Sequence, residues 1–559
     1  MRSEALKSAR AKARGVLRWL FAGLWMFCAL TVHATEAPEI QILRTLLASG
    51  ELPGVGSFKD MQVPLAKFYG ENRFQPIWYF GLPLRPQAQQ ALDILGQAQS
   101  HGLGAEDYPA ADLSAHLTAA SNPEERAAAD LSLSVFLFRF LSDLHSGRVK
   151  PQSLGLAVDT GTDRPDLPGL VWSALRQGHL TTLPDRLAPQ FPMYGRLRQA
   201  LARYRDLARA RFDPLPVVNK KLEPGQAYPA LSALRDRLVR LGDLPPTAKL
   251  PLRYEGDLVE GVKHFQLRHG LEPDGVIGRT SLTQLNVPIM DRVRQIEINL
   301  ERLRWLRIPD NERVVGVNIP EFRLRAFDNR DGRVDTRFSM KVIVGQAVLE
   351  KKTPVFQEDM RHIDFKPFWN VPPSIAKAEL LPKLRKHPGY LAEQEMEILP
   401  VSGGRASTDV TPEALEAVGR GALRIRQRPG AKNPLGPIKF VLPNSFDVYL
   451  HYTSSPRLFK KSRRDFSHGC IRLEEPVKLA RFVLEDQPEW TETRIRAAMA
   501  AEKPSSVRLS HPVPVMIFYT TVVEELDGQV YFLPDIYDLD PKLDAALKQQ
   551  SVKRLATRQ

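Results

Sequence analysis

The chain has 559 residues, 43% of them hydrophobic and 25% charged, with a formal net charge of +14. That length exceeds what a single core organises, so about three or four domains are expected, and the composition excludes collagen-like and charge-dominated disordered chains. The basic residues are dispersed, with no finger spacing or aromatic RNA-binding motif, so no nucleic-acid partner is expected; a moderately basic surface suits carboxylate-rich or polyanionic partners instead.

Arg2, Lys7, Arg10, Lys12, Arg14 and Arg18, offset by Glu4, supply +5 of the net charge ahead of the apolar run Trp19–Val32 and the small residues flanking Ala34. This three-part layout predicts an export signal over 1–34, cleaved after Ala34. The apolar run has 14 residues, short of the roughly 20 that span a bilayer; retention as an inner-membrane anchor is the alternative reading. Cys28 lies inside that segment, so the exported chain keeps one thiol, Cys470, and no internal disulfide. In an oxidising compartment a lone thiol is either buried and inert or kept for chemistry.

Residues 35–225 read as a helical scaffold. Leu92, Ile94 and Leu95 recur at helical spacing before Gly102 and Gly104. The segment from Pro123 to His145 starts with Pro and acidic residues and ends before Gly147, as a capped helix does. Leu133, Phe136, Leu137, Phe140, Leu141 and Leu144 give it a broad apolar face, predicting a central packing helix. Residues 226–290 change character, to an amphipathic helix ended by Gly242, a second with Leu258, Val262 and Phe265 one turn apart, and a third after a turn bearing Gly275 and Gly278. A helical connector covers 291–312. From 313 to 540 the texture is β: "RVVGVNIPEFRLRAFD", "TRFSMKVIVG" and "DVYLHYT" carry β-branched and aromatic residues between Pro, Gly and Asn/Asp breaks, and Asp527-Gly528 predicts a hairpin. A polar, helical insertion at about 373–425 reads as a capping element, and 541–559 as a C-terminal tail.

His451 stands 19 positions before Cys470, at the end of a strand, and the basic loop "SSPRLFKKSRRDF" connects them. An unperturbed thiol ionises near pH 8.5, so a nucleophilic cysteine needs a base or a cation within reach. The Ser467-His468-Gly469-Cys470 turn offers backbone N–H groups for a developing oxyanion, and Arg472 would favour a thiolate. The competing reading is a buried cysteine beside a turn-capping histidine. A metal site is the poorer alternative: Cys470, His451 and His468 could supply three ligands, but no CxxC spacing accompanies them.

Two resemblances narrow these readings. "LRDRLVRLG" followed by "FQLRHGL" and "DGVIGRTSLTQLN" resembles the three-helix peptidoglycan-binding domain. "SHGCIR" with its upstream His resembles the catalytic motif of the L,D-transpeptidase (YkuD-type) family, and "MKVIVGQAVLEKKTPVF", "FWNVPPSIAKAELLPKLRKHPGYL" and "RIRQRPGAKNPLGPIKFVLPNSFDVYLHYT" are similar to its large periplasmic, YcbB-type branch. The implied fold class is multidomain α+β: a helical scaffold, a three-helix peptidoglycan-binding domain and a mostly-β catalytic domain with a helical capping insertion. The resemblance implies Cys470 as nucleophile, His451 as base and the backbone carbonyl of Tyr452 as third member, with Gly469, His468 and Arg472 as oxyanion or supporting residues. Close relatives often read His-Asp-Thr-Pro where this chain has His451-Tyr452-Thr453-Ser454, a departure at a position whose role is carried by backbone. Trp369 and Trp305 are expected in the core. The implied activity is 3→3 cross-linking of peptidoglycan from tetrapeptide stems in the periplasm, with no cofactor or metal, sensitivity to carbapenems, and cell-wall synthases and carboxypeptidases as partners. The alternatives are an L,D-carboxypeptidase or endopeptidase, an enzyme attaching protein to peptidoglycan, or a non-catalytic wall-binding scaffold.

Overall fold

The computed structural model describes residues 37–158, 165–218, 220–310, 312–330, 333–348 and 351–556; the expected export signal, with Cys28, lies outside them. Helix α1 (Pro38–Ser49) packs on α2 (Pro123–Ser146), the longest helix of the scaffold. Pro123 starts α2 and the Asn122 side chain accepts the Glu125 N–H, which satisfies one of the helix's free donors. Leu133, Leu137, Phe140, Leu141 and Leu144 are fully buried and Phe136 nearly so, as a helix apolar on most sides requires. Asp130, buried on the same helix, accepts from Tyr69 Oη and from the Ile77 and Trp78 amides, so its charge is not left uncompensated.

Helices α3 (Pro192–Leu207), α4 (Leu231–Leu241), α5 (Asp257–Arg268), α6 (Arg279–Leu285) and α7 (Ile289–Leu303) follow. α4, α5 and α6 share a separate small core around Leu234, Leu238, Leu258, Val262 and Phe265. Gly275 has φ +74°, and a β-carbon there would come within 2.8 Å of Val259 Cγ1, so glycine is required. Gly278 is extended instead and merely precedes α6. The connector expected over 291–312 is no free linker: α7 packs against α3 and puts Val293, Ile296, Leu300 and Leu303 into the scaffold core.

The β-rich region is built from β1 (Glu312–Asn318), β2 (Arg323–Arg330), β3 (Arg333–Gly345), β4 (Phe356–Phe365), β5 (Trp369–Asn370), β6 (Met396–Pro400), β7 (Leu423–Gln427), β8 (Ile438–Val441), β9 (Leu450–His451), β10 (Asp465–Ser467), β11 (Ile471–Leu473) and β12 (Ser505–Phe518). The main sheet runs β10-β3-β11-β9-β8-β4-β12-β1-β2, and β2 pairs back onto β3. The ring closes, so its strands need no protected edge. Inward-facing Val342, Ile363, Phe440, Leu450 and Ile471 fill it, and Trp305 is buried beside them, as expected. The insertion is not purely helical. β5, β7 and β6 form a three-stranded sheet from Trp369 to Gln427 carrying the short helices, with its own core of Leu380, Leu384, Leu391, Ile398 and Ile425. Alternating apolar residues in "MEILP" and "LRIRQ" pair those strands across a polar stretch that hid them.

The hairpin β13 (Val522–Glu524) and β14 (Val530–Phe532) turns at Asp527-Gly528 as predicted, but buries Val522, Val530 and Phe532 in the scaffold core. The segment expected as a C-terminal tail is helix α8 (Asp540–Ala556), with Leu543 and Leu547 buried in the core of the main sheet. Asp540 meets Arg302 and Thr521, while Arg554 pairs with the scaffold's Asp143 at 2.6 Å, so α8 ties the two units together.

Candidate active site

The site is a consequence of sheet register. β9 runs parallel to β11 with Leu450 opposite Ile471 and His451 opposite Arg472, and Ile471 N–H donates to Tyr449 O, which extends the pairing to Tyr449 and Cys470. Leu450 and Ile471 are fully buried inside the ring, so alternation puts Tyr449, His451, Cys470 and Arg472 together on its outer face. Cys470 and His451 are thus diagonal neighbours on adjacent strands, a span that a thiol and an imidazole can bridge. The intervening loop only has to return the chain. β8 continues the row, with Lys439 opposite His451 on one side and Asp364 of β4 on the other.

The half-buried Cys470 lies at the rim of a built turn. Asn444 accepts the Phe446 and Val448 amides and donates to the carbonyls of Leu442 and Val448. This folds the chain so that Asp447, in the left-handed region at φ +54°, turns its carbonyl to 3.6 Å from Sγ. Burial pushes the thiol above its ordinary pKa, while the Tyr449 amide and hydroxyl, Lys439 and Arg472 pull it down. The Trp369 indole in turn faces the Tyr449 hydroxyl as a donor.

His451 is buried, and desolvation, then Arg472, with Lys439 adding to them, drive its pKa down to about 3 against the Tyr452 and Leu435 carbonyls, which favour the protonated ring. The imidazole is therefore neutral near neutral pH, as a base must be. The Tyr452 carbonyl faces the ring, in keeping with the role the resemblance implied, although Nδ1 reaches no acceptor at hydrogen-bond geometry. Close approach at this corner needs Gly436 (φ +66°), where a β-carbon would stand 3.0 Å from Tyr452 Cδ1.

The other predicted residues divide. Gly469 (φ +120°) shapes the turn, but its amide donates to Ser467 Oγ and its carbonyl accepts from Thr353 Oγ1, so it is not a free oxyanion donor. The Cys470 amide makes no hydrogen bond to any described residue. His468 is engaged by the cap: its Nε2 lies 2.7 Å from Glu379 Oε1 and 3.0 Å from Lys351 Nζ, and Lys351 also reaches Glu379 at 3.0 Å. Glu379 belongs to a π-helical turn of the cap, Ala376–Leu380, so this triad fastens cap to catalytic loop. Arg472 stays on the site face, with Nε buried and without a partner.

Two residues escaped the sequence reading, and a third was placed differently. Lys439 and Tyr449 alternate with inward-facing apolar neighbours in "PIKFV" and "DVYLHYT", a pattern that marks them as facing outward but not as facing a thiol. Trp369, expected in the core, is half-buried where cap meets site.

Comparisons with known proteins bear on the domains that hold this site. Residues 312–530 match the L,D-transpeptidase catalytic domain, residues 228–285 a "putative peptidoglycan binding domain", and residues 63–201 a scaffold domain. A curated protein of Haemophilus influenzae named "Putative L,D-transpeptidase" is 33% identical over 254 residues, covering 45% of this chain and 49% of that protein. The chain thus spans about half the length of the curated relative it matches. An L,D-transpeptidase crystal structure from Xylanimonas cellulosilytica is 14% identical, covering 54% of this chain and 100% of that one, with a TM-score of 0.15. A fused Zn-dependent amidase/peptidase/peptidoglycan-binding domain-containing protein from Clostridium acetobutylicum is 10% identical, covering 54% and 99%, with a TM-score of 0.16; likenesses at these scores carry no argument. By these matches the chain carries a region matching the L,D-transpeptidase catalytic domain and, ahead of it, one matching a putative peptidoglycan-binding domain.

Proposed function

We propose that the protein forms 3→3 peptidoglycan cross-links through a thioester on Cys470. The observation that carries this reading is the placement of Cys470 beside a neutral His451 on one face of two paired strands. In the first half-reaction Sγ attacks the carbonyl of the amide between residues three and four of a tetrapeptide stem, and its proton passes to His451. The Cys470 amide is the donor left for the oxyanion. Collapse breaks the C–N bond, His451 returns the proton to the leaving amine, and terminal D-alanine departs. In the second half-reaction an amine of another stem attacks the thioester, loses a proton to His451 and releases the thiol. Covalent catalysis suits a compartment without ATP because the acyl group stays activated.

The peptidoglycan-binding domain concentrates stems by tethering, and the cap excludes the water that would turn transfer into hydrolysis. We place the enzyme in the periplasm, exported by its N-terminal segment, with carboxypeptidases supplying tetrapeptides, cell-wall synthases as neighbours and carbapenems as acylating inhibitors. Incubation with disaccharide-tetrapeptides followed by mass analysis tests the reading. Cross-linked dimers lacking one D-alanine support it; tripeptide alone makes the protein an L,D-carboxypeptidase, and unchanged substrate makes it a binding scaffold.

A further inference from the structure

Beside Cys470 the structure holds two cations that the reaction scheme leaves unused. Lys439 and Arg472 occupy the same row of the outer sheet face, on the strands either side of His451. Lys439 Nζ also lies 4.1 Å from the centroid of the Tyr449 ring, whose hydroxyl faces Sγ. Neither cation has an ion-pair or hydrogen-bond partner among the described residues, and Arg472 Nε is buried. Unpaired charge in a half-buried position is costly, and it is kept where a charge must be met. The groups facing this row are Asp364 from β4, Lys439 from β8, His451 from β9 with Tyr449 just before it, Arg472 from β11 with Cys470 just before it, and Asp447 from the turn; β3 closes it with the apolar Ile343 opposite Arg472. Asp364 carries a carboxylate into the row beyond Lys439, and Asp447, whose carbonyl meets Sγ, also brings its negative charge to bear on Lys439 and Tyr449.

We propose that Lys439 and Arg472 are the counter-ions of the Cys470 thiolate, and that His451 carries the proton as a neutral base instead of standing as the imidazolium half of a resting ion pair. Geometry sets the division of labour. An imidazolium at 451 would sit between two cations on adjacent strands, whereas a thiolate at 470 is met by both. The charge balance is compatible with this: burial disfavours the charge on both cations, Asp364 and then Cys470 and Asp447 support it on Lys439, Cys470 supports it on Arg472, and both cations disfavour a charged His451. This inference rests on Cys470 being the nucleophile proposed above.

The test is the pH profile of Cys470 alkylation by iodoacetamide in the full chain, read on the Cys470 peptide by mass spectrometry. Lys439→Met is expected to move the half-reaction pH up by about one unit or more, as loss of an opposite charge at this range does. Lys439→Arg restores it to within about half a unit, because it restores the charge. His451→Gln leaves it within the same limit while abolishing acyl transfer. An unmoved profile in folded Lys439→Met, or a His451→Gln shift as large as the lysine's, overturns the proposal. Should Lys439→Met fail to fold by circular dichroism, Arg472→Gln read the same way decides it. Alkylation does not require transpeptidation, so the two readings separate. Shifted profiles without acyl transfer in the unaltered protein reject the function and uphold the counter-ions; unshifted profiles with acyl transfer do the reverse.

Discussion

Replacing Glu379 with Gln removes the charge that fastens the cap to the catalytic loop. Glu379 lies 2.7 Å from His468 and 3.0 Å from Lys351, with side-chain exposures of 44%, 32% and 31% respectively. Burial alone would raise the Glu379 carboxyl, yet His468 and Lys351 hold it below the usual carboxylate range, so the bridge favours the ionised form. Solvent screens pairs this exposed, and each is worth about 0.5–1 kcal/mol. Losing both therefore costs about 1–2 kcal/mol, which lowers the closed-to-open ratio roughly five- to thirtyfold. Deuterium exchange of residues 373–393 reads that ratio: Glu379→Gln should accelerate exchange there and leave the scaffold helices unchanged. The acceleration should shrink at high salt, where the unaltered bridge is itself weakened. In the transfer assay the tripeptide product of hydrolysis should rise relative to cross-linked dimer. Exchange of 373–393 identical to the unaltered protein would refute the reasoning and make the triad an incidental surface contact.

Tyr449→Phe removes a hydroxyl that faces the thiolate; a hydrogen bond to a charged group is worth about 1.5–3 kcal/mol, so acylation should slow ten- to hundredfold with the melting temperature little changed, and an unaltered rate would contradict the placement of that hydroxyl. His101, buried against Tyr194, has its pKa driven down to about 3 by desolvation, then by Arg198 and Arg304. A histidine held neutral contributes stability that is complete above pH 6.5 and is lost as pH falls toward 3, about 2–3 kcal/mol by pH 4.5. Urea midpoints of His101→Phe should accordingly depend less on pH between 6.5 and 4.5 than those of the parent. Arg554→Met leaves the buried Asp143 without its guanidinium and should destabilise the chain by about 2–4 kcal/mol in urea titration, an effect that Asp143→Asn in the same chain should partly relieve; a midpoint unchanged by Arg554→Met would mean that α8 does not clamp the units.

What could be read without coordinates was what is local. The α2 apolar face, the Gly242 stop and the Asp527-Gly528 hairpin are each written in contiguous residues whose spacing has one structural reading, whereas Cys470 and His451, 19 positions apart, are singled out by a family resemblance. What could not be read depends on register or on partners distant in the chain. Lys439 becomes a neighbour of the thiol only because β8 pairs with β9 one way and not shifted by a residue, and a strand's outer positions look alike whether they face water or a nucleophile. His468, two positions from Cys470, turns instead to a glutamate about ninety residues earlier, and Gly469 spends its amide on Ser467. Residues 541–556 look like a tail because Leu543, Leu547, Val552 and Leu555 are widely spaced among lysines, glutamines and other polar residues. Its helix is fixed by burial against the catalytic core and by Arg554 reaching Asp143, neither of which local propensity records.

Cross-linking by this protein requires the thiol of Cys470 to become an acyl carrier through His451. Intact-protein mass spectrometry after brief exposure to disaccharide-tetrapeptide, followed by peptide mapping, measures that step directly. A covalent adduct of the stem less its terminal D-alanine, on the Cys470 peptide and strongly reduced in His451→Ala, is the predicted result; an adduct on any other residue, or one formed equally well without His451, would contradict it.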